Sequence, residues 1–101
     1  MTLDDLYATV LARKSADPGE SWTASLFAKG AEKCAEKFGE EAIEAVIAAV
    51  QDDKEALTAE AADVLYHLLV LLAAREVPLD AVLQELARRR SQSGLTEKAN
   101  R

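Results

Sequence analysis

The chain has 101 residues, a length that suits a single domain. Half of its residues are hydrophobic but only 5% are aromatic, and glycine (4) and proline (2) are scarce. This composition favours a bundle of helices and argues against an all-β fold. The net charge of −6 argues against binding of nucleic acids through their phosphates. It does not exclude a small anionic substrate, because a bound metal ion can invert the local field.

Cysteine content and hydropathy limit the setting in which the protein works. The single cysteine, Cys34, excludes an internal disulfide and a zinc site built from several cysteines. The longest apolar run, residues 64–74, is interrupted by His67 and is too short to span a bilayer. Met1 is soon followed by Asp4, which is unlike a secretory signal peptide. We therefore expect a cytoplasmic protein that does not associate with membranes.

Two helices are predicted in the first part of the chain. The first begins at Thr2, a good capping residue, and ends near Lys14. An Asp-Pro-Gly segment then predicts a turn. The second helix begins at Ser21 or Thr23 and continues to Gly39, where we expect a kink or a break because glycine destabilises a helix interior.

Two acidic pairs follow, and they carry the strongest chemical signal in the sequence. Glu41 and Glu44 are three positions apart, as are Glu60 and Asp63, so each pair shares one face of a helix. A Gln-Asp-Asp segment between them predicts a turn that would pack the two helices antiparallel and bring the pairs together. Four carboxylates repel one another unless a cation joins them, and oxygen ligands suit Mg²⁺ or Mn²⁺ better than Zn²⁺. The alternative is four solvated acids on amphipathic helices, although their apolar neighbours make unpaired charge costly there.

Three lysines recur at four-residue intervals on the second predicted helix and its continuation: Lys29, Lys33 and Lys37. This stripe leads toward the first acidic pair, and cations beside a metal site suit a polyphosphate substrate. The alternative is local pairing of Lys33 with Glu36 and of Lys37 with Glu40 or Glu41, which contributes little to stability.

The third long helix, predicted over about residues 54–75, is apolar around most of its circumference in its second half. A chain this small has difficulty surrounding such a helix, so we expect a homodimer with its twofold axis near Leu69 and Val70. His67 lies one turn after Asp63. It is either a hydrogen-bonded histidine at a core or dimer contact, or a residue with a ligand, catalytic or supporting role at the acidic site.

The C-terminal part of the chain predicts one more helix and a tail. Pro78 is well placed at the start of this helix, and a run of three arginines closes it. The tail, residues 91–101, is polar. We therefore expect an all-α domain of four to five helices over residues 1–90, completed by dimerisation and followed by this tail.

Four segments of the sequence carry a resemblance to a known family: Ser21-Trp22-Thr23-Ala24-Ser25-Leu26, Lys29-Gly30, Lys37-Phe38-Gly39-Glu40-Glu41-Ala42-x-Glu44 and Glu60-Ala61-Ala62-Asp63-Val64-Leu65-Tyr66-His67-Leu68-Leu69. Together they resemble the phosphoribosyl-ATP pyrophosphohydrolases of histidine biosynthesis, which belong to the all-α MazG-type nucleotide pyrophosphohydrolases. The resemblance covers roughly residues 3–90. The acidic pattern alone identifies only the MazG-type superfamily. Trp22 stands where the family leads us to expect tyrosine.

The resemblance implies the second step of histidine biosynthesis, hydrolysis of 1-(5-phosphoribosyl)-ATP to 1-(5-phosphoribosyl)-AMP and pyrophosphate in a MazG-like bundle. It implies Mg²⁺, with Mn²⁺ as an alternative, held by the four acids named above: Glu41, Glu44, Glu60 and Asp63. Water would attack a phosphorus of the triphosphate, with Glu40 or Glu41 orienting it.

The resemblance also implies where the phosphates bind. Lys29, Lys33 and Lys37 would hold them, and Ser21 and Thr23 would add donors at a helix N-terminus, a natural anion site. Two other functions stay open at this point. One is a MazG-type hydrolase of other nucleoside or deoxynucleoside triphosphates, and the other is an acidic helical dimerisation module without catalysis.

Overall fold

A computed structural model describes residues 1–90 of the chain. Within that part the protein contains five α-helices and no strand, which confirms the predicted all-α fold. The helices are α1 (Leu3–Ala12), α2 (Trp22–Lys29), α3 (Ala31–Val50), α4 (Lys54–Ala74) and α5 (Leu79–Arg90). The predicted tail lies outside the described residues.

Helix α1 begins with a capping box, as its sequence predicts. The Thr2 side chain accepts a hydrogen bond from the amide of Asp5, and the Asp5 carboxylate accepts one from the amide of Thr2. The helix buries Tyr7 and Val10, and the Tyr7 hydroxyl donates a hydrogen bond to the Val77 carbonyl (2.6 Å). This bond joins the N-terminal helix to the segment that precedes α5.

The break between the second and third helices lies at Gly30, and the expectation of a break at Gly39 was wrong. Gly30 has φ 98° and ψ 171°, a conformation that other residues rarely adopt, and it separates α2 from α3. Gly39 lies inside a continuous α3. Helix α2 is capped by Ser21, whose hydroxyl accepts a hydrogen bond from the Ala24 amide (3.1 Å).

Helices α3 and α4 are the longest in the described chain, and they form a hairpin. Their connection is only three residues long, so they pack side by side in opposite directions. Asp52 has φ 55°, which reverses the chain, and the Asp53 carboxylate caps α4 by accepting a hydrogen bond from the Ala56 amide (3.0 Å). This hairpin places the two acidic pairs opposite each other.

The core lies where α4 packs against α1, α2 and α3. Val10, Leu26, Cys34 and Val70 are its largest fully buried side chains. Leu69 also belongs to this core, so the expectation that Leu69 and Val70 form a dimer interface was wrong. The three neighbouring helices bury Leu69, Val70 and Ala73 of α4, whereas Leu65 stays 46% exposed.

A row of exposed apolar side chains lies on α3. Ile43, Val46, Ile47 and Val50 follow one another at the spacing of a single helix face, and each is at least half exposed, with Val50 at 80%. We call these four residues the α3 apolar face. A soluble protein rarely leaves such a row uncovered.

Candidate metal and phosphate site

Three carboxylates from the α3–α4 hairpin come together. One oxygen from each of Glu41, Glu60 and Asp63 lies within 4.8 Å of the others. We call these three residues the carboxylate cluster. Glu41 projects from α3, whereas Glu60 and Asp63 project from the facing part of α4. Glu44 adjoins the cluster closely enough for its charge to act on Glu41 and Glu60, although it is itself exposed.

One oxygen of the cluster lacks the partner that its burial requires. The Oε2 atom of Glu60 is buried and has no hydrogen-bond donor within the described residues. A buried carboxylate oxygen without a donor is costly, and a divalent cation would satisfy it. The oxygen-only ligand set suits a hard cation such as Mg²⁺. The residues therefore fit the metal that the family resemblance implies.

The electrostatics of the cluster agree with this interpretation. Burial, followed by the charges of Glu44 and Asp63, raises the pKa of Glu41 above its ordinary value. Burial is also the main reason that the pKa of Glu60 is raised, and the neighbouring carboxylates add to it. Without a cation, these carboxylates disfavour one another's charge.

Lys37 lies close both to carboxylates of α3 and to the aromatic ring of Trp22. Its ammonium group lies 3.1 Å from Glu40 Oε2 and 3.8 Å from Glu41 Oε1. The hydrogen bond with Glu40 is the main reason that the pKa of Lys37 is raised. The same ammonium group lies 5.8 Å from the centre of the Trp22 ring. Lys37 therefore stands between an aromatic ring of α2 and the carboxylates of α3.

The other two predicted phosphate-binding lysines are placed differently. Lys33 lies on α3 and pairs with Glu36 (3.2 Å), as the alternative of local pairing predicts. Lys29 is the last residue of α2 and is exposed. Because Gly30 separates α2 from α3, the three lysines do not form one continuous helical stripe.

The hydroxyls at the start of α2 are already engaged within the protein. Ser21 caps the helix. Thr23 is only 2% exposed, and its hydroxyl lies 2.5 Å from that of Tyr66 on α4. The side chain of Thr23 therefore faces the interior and fastens α2 to α4.

His67 is buried one helical turn after Asp63. Its Nδ1 atom has no hydrogen-bond partner within the described residues. Burial and the charge of Lys37 lower its pKa, while the charge of Asp63 opposes the shift. The lowered pKa favours the neutral form of the His67 imidazole.

Two features of the site escaped the sequence-based analysis. One is the position of the Trp22 ring beside Lys37. The other is a cleft of about 240 Å³ on the other side of the cluster, toward the α3–α4 turn. It is lined by Glu44, Ile47, Ala48, Gln51, Ala56 and Glu60. Helical periodicity places residues on faces, but it does not show which small residues leave a gap between two helices.

Fold and site together define a class, the all-α proteins that carry a cluster of carboxylates on a helical hairpin. Comparison with known families is more specific. Residues 3–90 match the family described as phosphoribosyl-ATP pyrophosphohydrolase. The chain belongs to the phosphoribosyl-ATP pyrophosphohydrolase family.

Individual relatives match over nearly their full length. The chain is 66% identical to the phosphoribosyl-ATP pyrophosphatase of Roseobacter denitrificans over 101 residues, covering 100% of this chain and 96% of the relative. It is 69% identical over 99 residues to the protein of that name in Rhodobacter capsulatus, covering 98% of this chain and 96% of the relative. The protein of Ruegeria pomeroyi with the same name is 68% identical over 99 residues, which cover 98% and 94% of the two chains.

Proposed function

We propose that this protein hydrolyses 1-(5-phosphoribosyl)-ATP to 1-(5-phosphoribosyl)-AMP and pyrophosphate, the second step of histidine biosynthesis. Membership of the family gives the reaction, and the relatives named above are phosphoribosyl-ATP pyrophosphatases. The carboxylate cluster is the observation that carries the assignment to a site in this chain, because it supplies the hard oxygen ligands that a nucleotide–metal complex needs.

We further propose that the cation is Mg²⁺, with Mn²⁺ able to replace it. Glu41, Glu60 and Asp63 would hold it, and Glu44 would complete the set from its adjoining position. Such an ion neutralises charge on the phosphate oxygens and makes a bound water more acidic. The unpartnered oxygen of Glu60 supports this proposal.

The chain's own residues would position water and phosphates. Glu40 or Glu41 would orient the attacking water, since a carboxylate that is not fully committed to the cation can accept its proton. Lys37 is best placed to contact the phosphates, because its ammonium group already borders the cluster. Lys33 and Lys29 come earlier in the sequence and would lie farther from the cluster. Ser21 would contribute to phosphate binding at the start of α2. Because the Thr23 hydroxyl is buried and bonded to Tyr66, we assign it to holding α2 in place.

His67 would support the carboxylate cluster from its position one helical turn after Asp63. It is buried beside α3 and Tyr66, and its ring lies close enough to Asp63 and Lys37 to sense both charges. A neutral histidine adds no positive charge that would compete with the cation for the carboxylates. We therefore propose that it orients residues or water of the site and does not bind the cation itself.

Release of pyrophosphate tests the proposed function. The wild type should release one pyrophosphate per phosphoribosyl-ATP in the presence of Mg²⁺ and none in excess chelator. Release should resume when Mg²⁺ is restored. Glu60→Gln should be inactive, and Glu36→Gln, which changes an exposed acid on α3 outside the cluster, should be as active as the wild type. Faster turnover of an ordinary nucleoside triphosphate would favour a different MazG-type activity. No release from any nucleotide would leave a dimerisation module.

We also propose that the protein is a homodimer joined through the α3 apolar face. The face lies on the same helix as Glu41 and Glu44, and Ile47 also lines the cleft beside the cluster. A second copy covering this face would therefore border the site. A twofold arrangement allows the face to cover its own copy.

We infer that the protein works in the cytoplasm. Helix α4 is long and apolar enough to cross a membrane, but its central part carries Glu60, Asp63 and His67. It also packs against α1, α2 and α3 and contributes Leu69, Val70 and Ala73 to the core.

A further inference from the structure

Trp22 is the only tryptophan of the chain, and its side chain is 59% exposed. A single exposed aromatic residue is ordinary on a protein surface. Its position is what calls for an explanation. The ammonium group of Lys37 lies 5.8 Å from the centre of the indole ring and 3.8 Å from Glu41 Oε1. The indole ring and the carboxylate cluster thus both lie close to the same ammonium group.

The backbone beneath this ring is held firmly relative to the cluster. Trp22 is the first residue of α2, directly after the Ser21 cap, and its carbonyl accepts a hydrogen bond from the Ser25 hydroxyl (2.6 Å). The next residue, Thr23, is bonded to Tyr66 on α4. Tyr66 lies less than one turn after Asp63, so α4 anchors both the cluster and the helix that presents Trp22.

A nucleotide whose phosphates reach the cluster places its base one ribose away from them. Trp22 lies beside the proposed phosphate site, on a backbone segment that is joined to α4 through Thr23, and it is exposed, so its ring is available to a base. Aromatic side chains bind bases by stacking, since every base has a π-face. In 1-(5-phosphoribosyl)-ATP the purine carries a second ribose on N1, and substitution of that nitrogen leaves the ring positively charged at neutral pH. Tryptophan is the aromatic side chain that attracts cations most strongly.

We propose that Trp22 is the platform on which the N1-substituted purine stacks, and that it favours this charged base over ordinary adenine. The inference rests on the proposed function and adds the recognition of the base. It assigns specificity for the base to Trp22, a residue outside the carboxylate cluster. Lys37, which now borders the ring, would contact the phosphates on the cluster side.

Steady-state kinetics on phosphoribosyl-ATP test the platform. Trp22→Leu should raise KM by about 10-fold, the scale of one lost base-stacking contact, and should leave kcat within about twofold. Trp22→Tyr and Trp22→Phe keep a ring and should stay close to wild type in KM. Sedimentation of Trp22→Leu should match that of the wild type. A wild-type KM in Trp22→Leu, or a loss of association in its place, would overturn the proposal.

Fluorescence of the single tryptophan gives a second readout that does not depend on turnover. Addition of 1-(5-phosphoribosyl)-AMP with Mg²⁺ should quench the emission of Trp22. As a test of charge, 1-methyl-AMP should inhibit wild-type turnover at least about fivefold more strongly than AMP, and this preference should vanish in Trp22→Leu. Unchanged emission, or equal inhibition by the two nucleotides in the wild type, would count against the platform.

The two hypotheses fail in different ways. If the wild type hydrolyses phosphoribosyl-ATP but Trp22→Leu behaves like it in every assay, the platform is wrong and the proposed function stands. If the wild type releases no pyrophosphate from phosphoribosyl-ATP, the proposed function is wrong, and the platform falls with it.

Discussion

Glu60 and Glu85 show how one residue type acquires opposite properties from its neighbours. Glu85 lies on α5 beside Arg88 and Arg89, whose hydrogen bonds and charges lower its pKa to about 2. Burial and other carboxylates raise the pKa of Glu60. The folded protein therefore stabilises the ionised form of Glu85. It would stabilise the ionised form of Glu60 only when a cation is bound.

This contrast predicts how the metal-free protein responds to pH. Because the pKa of Glu60 in the folded state lies above its unfolded value of about 4.5, the folded protein retains the proton more strongly, and stability falls as pH rises through the raised pKa. Glu60→Gln should remove this loss. In chelator, its Tm should be similar to that of the wild type near pH 4.5 and should exceed it increasingly toward neutral pH. Thermal unfolding at several pH values checks the difference, and an unchanging difference would argue against repulsion within the cluster.

The lysines should differ in their effect on activity. Lys37 borders the cluster, Lys33 pairs with Glu36 away from it, and Lys29 belongs to another helix. Lys37→Ala should lower kcat/KM on the order of 100-fold, as expected when one donor to a reacting phosphate is lost. Lys33→Ala should have a smaller effect, and Lys29→Ala should serve as the control. Equal kinetics of Lys37→Ala and Lys29→Ala would refute the role of Lys37.

At the scale of elements, the sequence predicted the number and type of helices but not the location of one break. Capping residues, the Asp-Pro-Gly turn and hydrophobic spacing predicted the helices well. The choice between Gly30 and Gly39 could not be made in that way, because either glycine is able to end a helix. Tertiary contacts decided it: Cys34 is buried, and its thiol lies 3.6 Å from the Leu26 carbonyl of α2. That contact requires the chain to turn between them.

The two glycines therefore predict opposite effects of the same substitution. A methyl group at Gly39 would meet no atom within 4 Å, so Gly39→Ala should raise the free energy of unfolding by about 0.5–1 kcal/mol. Gly30→Ala would force alanine into a positive φ and should lower it by about 1 kcal/mol or more. Urea titrations with unchanged m-values measure both. Stabilisation by Gly30→Ala would mean that α2 and α3 are joined differently.

At the scale of the whole molecule, the sequence indicated that apolar surface would remain exposed but placed it at Leu69 and Val70, which are buried. Helix α4 is the most apolar, yet α1, α2 and α3 cover Leu69 and Val70. A row of exposed apolar residues, the α3 apolar face, lies instead on the helix that carries Glu41 and Glu44. Periodicity alone could not show this, because it gives the face of a helix and not the neighbours that cover it. For the same reason, periodicity could not predict that the Trp22 ring lies beside Lys37 or that a cleft lies beside the cluster.

The exposed face predicts which substitutions separate the subunits. Val46 is 60% exposed, so Val46→Asp should leave the helical content unchanged and convert a dimer into a monomer. Leu69→Asp should unfold the protein instead, because it would bury an unpaired charge. Leu11→Asp, on the exposed side of α1, is the matched control. Sedimentation at micromolar concentration and circular dichroism distinguish these outcomes, and a monomeric wild type would contradict the proposed dimer.

The central claim is that Glu41, Glu60 and Asp63 together bind a divalent cation. Titration of the substrate-free protein with Mn²⁺, followed by the electron paramagnetic resonance signal of the free ion, tests it without reference to turnover. The wild type should bind Mn²⁺, and Mg²⁺ should compete with it. Glu60→Gln should weaken binding by at least about 10-fold, since even residues that only support a metal ligand contribute that much. Glu36→Gln should bind like the wild type. Equal Mn²⁺ affinity of the wild type and Glu60→Gln would contradict the account.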